Sequence, residues 1–184
     1  MQIIDHYLIN ATQITSPNFD NRPDSSDISL LVIHCISLPP GEFGGNFIDQ
    51  LFCNTLNPED HPSFNDIYQL KVSAHLLIRR NGDIHQYVAF NKRAWHAGLS
   101  AYDGRERCND FSIGIELEGD VHHTYTDQQY LCLAELTQTL CAYYPDLHPQ
   151  RIVGHSDIAP QRKTDPGPFF DWPRYRDLLT KDLK

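Results

Sequence analysis

Residues 29–36, SLLVIHCI, constrain the fold more than any other stretch of the chain. The run is short and nearly continuous in apolar residues, the pattern of a strand buried on both faces. Near its end sits His34, at a position where an unpaired imidazole would be expensive. A chain that builds such a strand must either satisfy that ring inside the core or put it to use.

The neighbouring segments supply partners for the strand. Residues 72–90 read as two strands joined by Asn81-Gly82, a dipeptide suited to the positive φ angles of a tight hairpin. Residues 111–119, FSIGIELEG, alternate: Phe111, Ile113, Ile115 and Leu117 are expected to point one way, and Ser112, Gly114, Glu116 and Glu118 the other. A last short strand is expected at 151–154. A helix is expected near FIDQLFCN, and a longer one after a capping box formed by Thr126 and Gln129, with Tyr130, Leu133, Thr137, Leu140 and Tyr144 at helical spacing. DWPRYRDLLTKDL, 171–183, reads as a closing helix with Asp171 as N-cap and Trp172, Tyr175, Leu178 and Leu179 facing inward. No repeat or linker divides the chain. The expected fold class is α/β: a single domain, 1–184, with a central mixed β-sheet flanked by helices.

With 15 basic and 24 acidic residues the chain carries a formal charge of −9, which argues against general affinity for nucleic acid or an anionic membrane surface. No stretch approaches transmembrane length. The N-terminus lacks the basic and apolar regions of a secretory signal. Five cysteines without paired spacing do not form a disulfide framework, so a reducing cytoplasm is the expected location. Nothing in the sequence points to an obligate protein partner.

Ten histidines raise the question of a metal. His6, His61, His122, His123 and His148 lie among polar or proline-rich loop residues and are expected to be solvated. His34 and His155 differ, the second because it sits in a glycine-flanked turn beside carboxylates. Asp165 follows in a Pro-Gly loop that can turn back. Two nitrogens and one oxygen make a sound zinc set with a fourth position left for water, although separations of 121 and ten residues are weak signals taken alone, and a satisfied core histidine fits the pattern as well. Cys35 is adjacent to His34, but neighbours on a strand leave opposite faces, so it reads as a buried, inert thiol.

Six segments together make a broader pattern: SPNFDNRP (16–23), SLPPGEFGG (37–45), SAHLLIRRNG (73–82), KRAWHAG (92–98), GRERCNDFSIGIELEG (104–119) and GHSDIAPQRKTDPGPFFDW (154–172). In these the chain resembles, almost end to end, the N-acetylmuramoyl-L-alanine amidase family, which includes peptidoglycan recognition proteins. The resemblance implies one zinc ion held by His34, His155 and Asp165, with Glu116 in proton transfer and Lys163 stabilising the transition state. It implies hydrolysis of the amide joining the lactyl group of 1,6-anhydro-N-acetylmuramic acid to L-Ala, on a soluble anhydromuropeptide, in peptidoglycan recycling. The residue types suit that chemistry, since zinc lowers the pKa of a water from about 15.7 to about 7 and a carboxylate can carry the proton to the leaving nitrogen.

Within the resemblance, Trp95 is the expected sugar-stacking surface, Arg107 and Lys71 the expected partners of peptide carboxylates, and Asn109 and Ala159 further substrate contacts. His75 and His96 are assigned structural or supporting roles. Cys35, Ser63 and Lys71 depart from the family pattern, where Asn, an aromatic and Arg are usual. Lys71 keeps the charge but loses the planar fork of an arginine. Two rival functions stay open on sequence: an amidase of polymeric peptidoglycan, and a binding module without catalysis.

Overall fold

In the computed structural model, which describes residues 1–181, six strands form the central sheet: β1 (Thr12–Gln13), β2 (Leu30–Ile36), β3 (Leu76–Ile78), β4 (Ile84–Gln86), β5 (Ser112–Glu118) and β6 (Ile152–Gly154). Their spatial order is β6-β2-β5-β3-β4-β1. β6, β2, β5 and β3 run parallel to one another. β4 returns antiparallel to β3, and β1 lies parallel to β4, so the sheet is mixed as expected. Three further two-stranded ribbons lie outside it.

The 29–36 run is the second strand from one edge. Leu30, Leu31, Val32 and Ile33 are wholly buried, each side chain contributing about 1.5–3 kcal/mol relative to exposure. Helices α1 (Phe47–Phe52), α2 (Asp127–Tyr143), α3 (His155–Ile158) and α4 (Trp172–Leu179) flank the sheet. α2 starts at the expected capping box, with Thr126 Oγ1 accepting from Gln129 N at 3.2 Å and Gln129 Oε1 from Thr126 N at 3.1 Å. α4 is capped by Asp171 and buries Tyr175, whose hydroxyl meets Thr137 of α2 at 2.7 Å. Residues 182–183 of the expected closing helix lie outside the described residues.

The two faces of the sheet differ, and the difference places the site. Leu31, Ile33, Leu76, Ile78, Ile113, Ile115 and Leu117 pack with α2 and α4 into one apolar core. The opposite face carries His34, Glu116 and Glu118 among smaller apolar clusters, and its cover comes from the short helices α1 and α3 and from irregular segments instead. Irregular cover leaves room for a cleft.

Two expectations are corrected. Phe111 does not share the face of Ile113: its ψ of 10° takes it out of the extended conformation, and it packs with Leu30, Val32 and Cys108. The hairpin turn is longer than two residues. Arg79 N bonds to Asp83 O, Gly82 N to Arg79 O, and Gly82 has positive φ while Asn81 does not. That is the pattern of a three-residue turn closed by a left-handed glycine.

Candidate metal centre and cleft

His34 and Glu116 are register partners on adjacent parallel strands, so both rise from the polar face at one level. β6 ends at Gly154, and α3 begins at once with His155, which the chain reversal brings back over β2. The loop after α3 returns Asp165, whose carbonyl accepts from Ser156 N at 2.9 Å.

Three atoms meet there. His34 Nδ1 lies 2.9 Å from His155 Nδ1 and 3.2 Å from Asp165 Oδ2, and His155 Nδ1 lies 3.0 Å from that same oxygen. Among the described residues this is the one set of three such groups close enough to share an ion. Tetrahedral ligands at zinc distances of about 2.0–2.1 Å stand roughly 3.3 Å apart, so the triangle fits one ion with adjustments of a few tenths of an ångström. Two imidazoles and a carboxylate are also the donor types zinc takes, and the residues present fit the group. The electrostatics agree. Burial pushes the His34 ring down to about 4, keeping it neutral. Burial alone would raise Asp165, but the two imidazoles whose Nδ1 atoms face its Oδ2 hold it well below the ordinary carboxylate range.

Glu116 is 9% exposed, and its Oε2 has no hydrogen-bond partner. Burial, and then the Asp165 carboxylate, push its pKa well above 4.5, against the opposing pull of Lys163. Glu116, Lys163, His155 and Asp165 line a cavity of about 240 Å³, walled by Trp95, Leu51, Phe52, Leu70 and Val72. Trp95 is fixed by Ser73, whose Oγ accepts from its backbone N–H at 3.0 Å. Glu116 is therefore not an edge charge: it sits on a strand with neighbours on both sides.

The other expected contacts are placed differently. Arg107 is 69% exposed in its side chain, pairs with Asp110 at 3.3 Å and does not line the cavity. Asn109 accepts at Oδ1 from His96 N (3.1 Å) and Ala97 N (2.8 Å), so it clamps a backbone turn. Ala159 is buried, and its carbonyl is taken by Arg162 N and Lys163 N. Lys71 is exposed between two residues of the cavity wall. Cys35 is half-buried rather than fully buried: it packs against the α2 core and also lines the cavity, and desolvation pushes its thiol up to about 12. Of the loop histidines, His122, His123 and His148 are exposed, while His6 and His61 are half-buried against Tyr144 and Ser63.

Sequence reasoning missed the apolar wall and two supports. Arg162 donates to Ala97 O at 2.5 Å and Leu99 O at 2.9 Å, bracing the segment that meets His155. Ser112 reaches His96, which in turn reaches His34. The alternation of residues 112–118 already put Ser112 and Glu116 on one face and was the available signal.

Comparison with known proteins gives the chain a family and agrees with its overall fold. The family model described as N-acetylmuramoyl-L-alanine amidase matches residues 24–168. The chain is 59% identical over 176 residues to the 1,6-anhydro-N-acetylmuramyl-L-alanine amidase AmpD of Escherichia coli (strain K12), 96% of each being covered. A crystal structure of a selenomethionine AmpD derivative superposes with a TM-score of 0.95 at 58% identity, over 98% of this chain and 100% of that one. The amidase AmiD from E. coli, in complex with the substrate anhydro-N-acetylmuramic acid-L-Ala-D-gamma-Glu-L-Lys, matches with a TM-score of 0.61 at 33% identity, covering 83% of this chain and 57% of that one.

Proposed function

The chain belongs to the N-acetylmuramoyl-L-alanine amidase family, and from that premise we propose that it hydrolyses the amide between the lactyl group of 1,6-anhydro-N-acetylmuramic acid and the L-Ala of the stem peptide, in peptidoglycan recycling. The observation that carries the reading is the meeting of His34 Nδ1, His155 Nδ1 and Asp165 Oδ2 in one cleft with the unpartnered Glu116 Oε2 and Lys163.

His34, His155 and Asp165 would hold one Zn²⁺, which supplies a Lewis acid that acidifies water and polarises a carbonyl. Glu116 Oε2 would accept the proton of the attacking water and return it to the departing L-Ala nitrogen. Its burial makes it a stronger base than a solvated carboxylate. The Lys163 ammonium would stabilise charge gathering on the carbonyl oxygen, a contribution of about 3 kcal/mol for a donor of this kind.

Trp95 offers a face for the sugar ring, and Leu51, Phe52, Leu70 and Val72 keep water from the reacting amide. Lys71 at the cavity wall, and Arg107 beyond it, are the cations that would meet stem-peptide carboxylates. Residues 1–184 would form one zinc amidase domain. No helix among the described residues is long and apolar enough to cross a membrane, and the five free thiols suit a reducing cytoplasm.

Mass spectrometry of the products from a defined anhydromuropeptide, with and without a chelator, tests the reading. Release of the intact stem peptide, lost with chelator and restored by zinc, is expected. Turnover of intact sacculi with no turnover of the soluble substrate would replace the recycling role, and zinc-loaded protein without turnover of either would replace catalysis by binding.

A further inference from the structure

A neutral imidazole carries one N–H, so a histidine that gives Nδ1 to a metal must keep its proton on Nε2. The two histidines of the metal set meet this requirement through different partners. His155 Nε2 lies 3.1 Å from the carbonyl oxygen of Ala97, which only accepts and so favours a proton on Nε2 over the longer 3.5 Å contact with Arg162 Nη2. His34 Nε2 lies 2.9 Å from His96 Nδ1, an atom that can accept or donate. Beyond it, His96 Nε2 lies 3.2 Å from Ser112 Oγ.

We propose, on the basis of the zinc site argued above, that His96 is a positioning residue. It accepts from His34 Nε2–H at Nδ1, donates its own Nε2–H to Ser112 Oγ, and so leaves His34 Nδ1 free to bind the ion. The opposite direction, with Ser112 donating to His96 and His96 Nδ1–H donating to His34, would put the His34 proton on the nitrogen that must bind. His96 itself meets His34 on the ring edge away from the ligand triangle and does not belong to that set.

The ring is held for this role. A Cβ at Gly114 would lie 2.4 Å from His96 Cγ, so the glycine makes the seat in which the imidazole rests. The backbone N–H groups of His96 and Ala97 both donate to Asn109 Oδ1. One clamp thereby sets the His96 ring that faces His34 and the Ala97 carbonyl that faces His155. Outer partners of this kind typically change metal affinity by about 10–100-fold when removed.

Zinc affinity, measured on the purified full chain by competition with a chelating dye, tests the proposal beside ¹⁵N NMR of the imidazoles. His96→Leu should bind zinc roughly 10–100-fold more weakly. His96→Gln, whose amide oxygen can accept from His34 Nε2–H, should recover most of that loss. Ser112→Ala should fall between His96→Leu and the wild type. In the zinc-loaded wild type the His96 proton should reside on Nε2. A proton on His96 Nδ1, or wild-type affinity in His96→Leu, would overturn the proposal. Should His96→Leu fail to fold, the wild-type nitrogen shifts decide it. Wild-type protein that takes up no zinc would overturn the zinc site and this inference together, whereas normal uptake with indifferent variants would overturn this inference alone.

Discussion

Glu116 stands directly across from His34 in the strand register, with both side chains on the face of the sheet that the helices α2 and α4 do not cover. The carboxyl group is thereby held next to the metal set by backbone hydrogen bonding rather than by a loop. Burial raises its pKa well above 4.5 in the folded chain. Ionising Glu116 then favours the unfolded state: its stabilising effect is complete below pH 4.5 and declines as pH rises toward the folded value. Glu116→Gln removes that dependence. With chelator present, the variant should show a higher denaturant midpoint than the wild type at pH 8, and the gap should close toward pH 4. Loaded with zinc, it should keep the metal and hydrolyse at least about 10²-fold more slowly. Near-normal turnover would mean that another group moves the proton.

Asp165 receives both imidazoles on a single oxygen, Oδ2. Asp165→Ala removes the one negative ligand and should lower bound zinc and activity together, in proportion across preparations. Metal analysis beside the hydrolysis rate checks it, and full zinc content in the variant would take Asp165 out of the set. The thermal midpoint of the wild type should rise on adding zinc, while that of Asp165→Ala should respond much less.

Much of this arrangement was legible in the residues because it rests on short-range rules. The apolar run that carries His34 and the Thr126 capping box each depend on local sequence pattern and formed as expected, and the alternation that carries Glu116 formed from Ser112 onward, with Phe111 falling outside it. Asn109, Ala159 and Arg107 were harder, because a motif shows that a position matters without showing what it touches. Asn109 satisfies two backbone N–H groups of a turn thirteen and twelve residues away, a pairing that exists only once the chain has folded. Gly82 was expected to share its positive φ with Asn81, but the backbone pairing of Arg79 with Asp83 lengthened the turn and left it to the glycine alone. The mixed sheet could be anticipated from its hairpin; its strand order could not, because parallel pairing is decided by distant segments.

Gly114 shows how much packing a residue without a side chain can carry. An added methyl there would meet the His96 ring at 2.4–2.6 Å, in the middle of a strand with neighbours on both sides. Neither the strand nor a half-buried ring held between His34 and Ser112 can yield cheaply, and overpacking of this kind costs about 1–3 kcal/mol. Gly114→Ala should therefore lower the unfolding free energy by that amount in a denaturant titration and weaken zinc binding as well. An unchanged midpoint would show that the ring has space to move.

Asp49 ties the cavity wall to the sheet. It lies in α1, whose Leu51 and Phe52 line the cleft, and it accepts from Arg79 Nη2 at 2.9 Å, from His85 Nδ1 at 2.9 Å and from the Tyr87 hydroxyl. Burial would raise its pKa, but the hydrogen bonds from His85 and Tyr87 outweigh that and leave it below 3.8. For a carboxylate depressed in this way, the stabilisation is present above the unfolded value and is lost as pH falls through the folded one. Asp49→Asn keeps the shape but not the charge, so it should be less stable than the wild type at pH 7, with the difference shrinking below about pH 4 as the wild-type carboxylate protonates. Charged hydrogen bonds of this kind contribute about 1.5–3 kcal/mol each, which puts the expected loss at neutral pH within reach of a urea titration. A stability difference that stayed constant from pH 7 to pH 3 would assign the effect to shape rather than charge. Because α1 supplies part of the cleft, the same variant should raise KM for the anhydromuropeptide more than it lowers kcat, and the ratio of the two effects can be read from one set of initial rates.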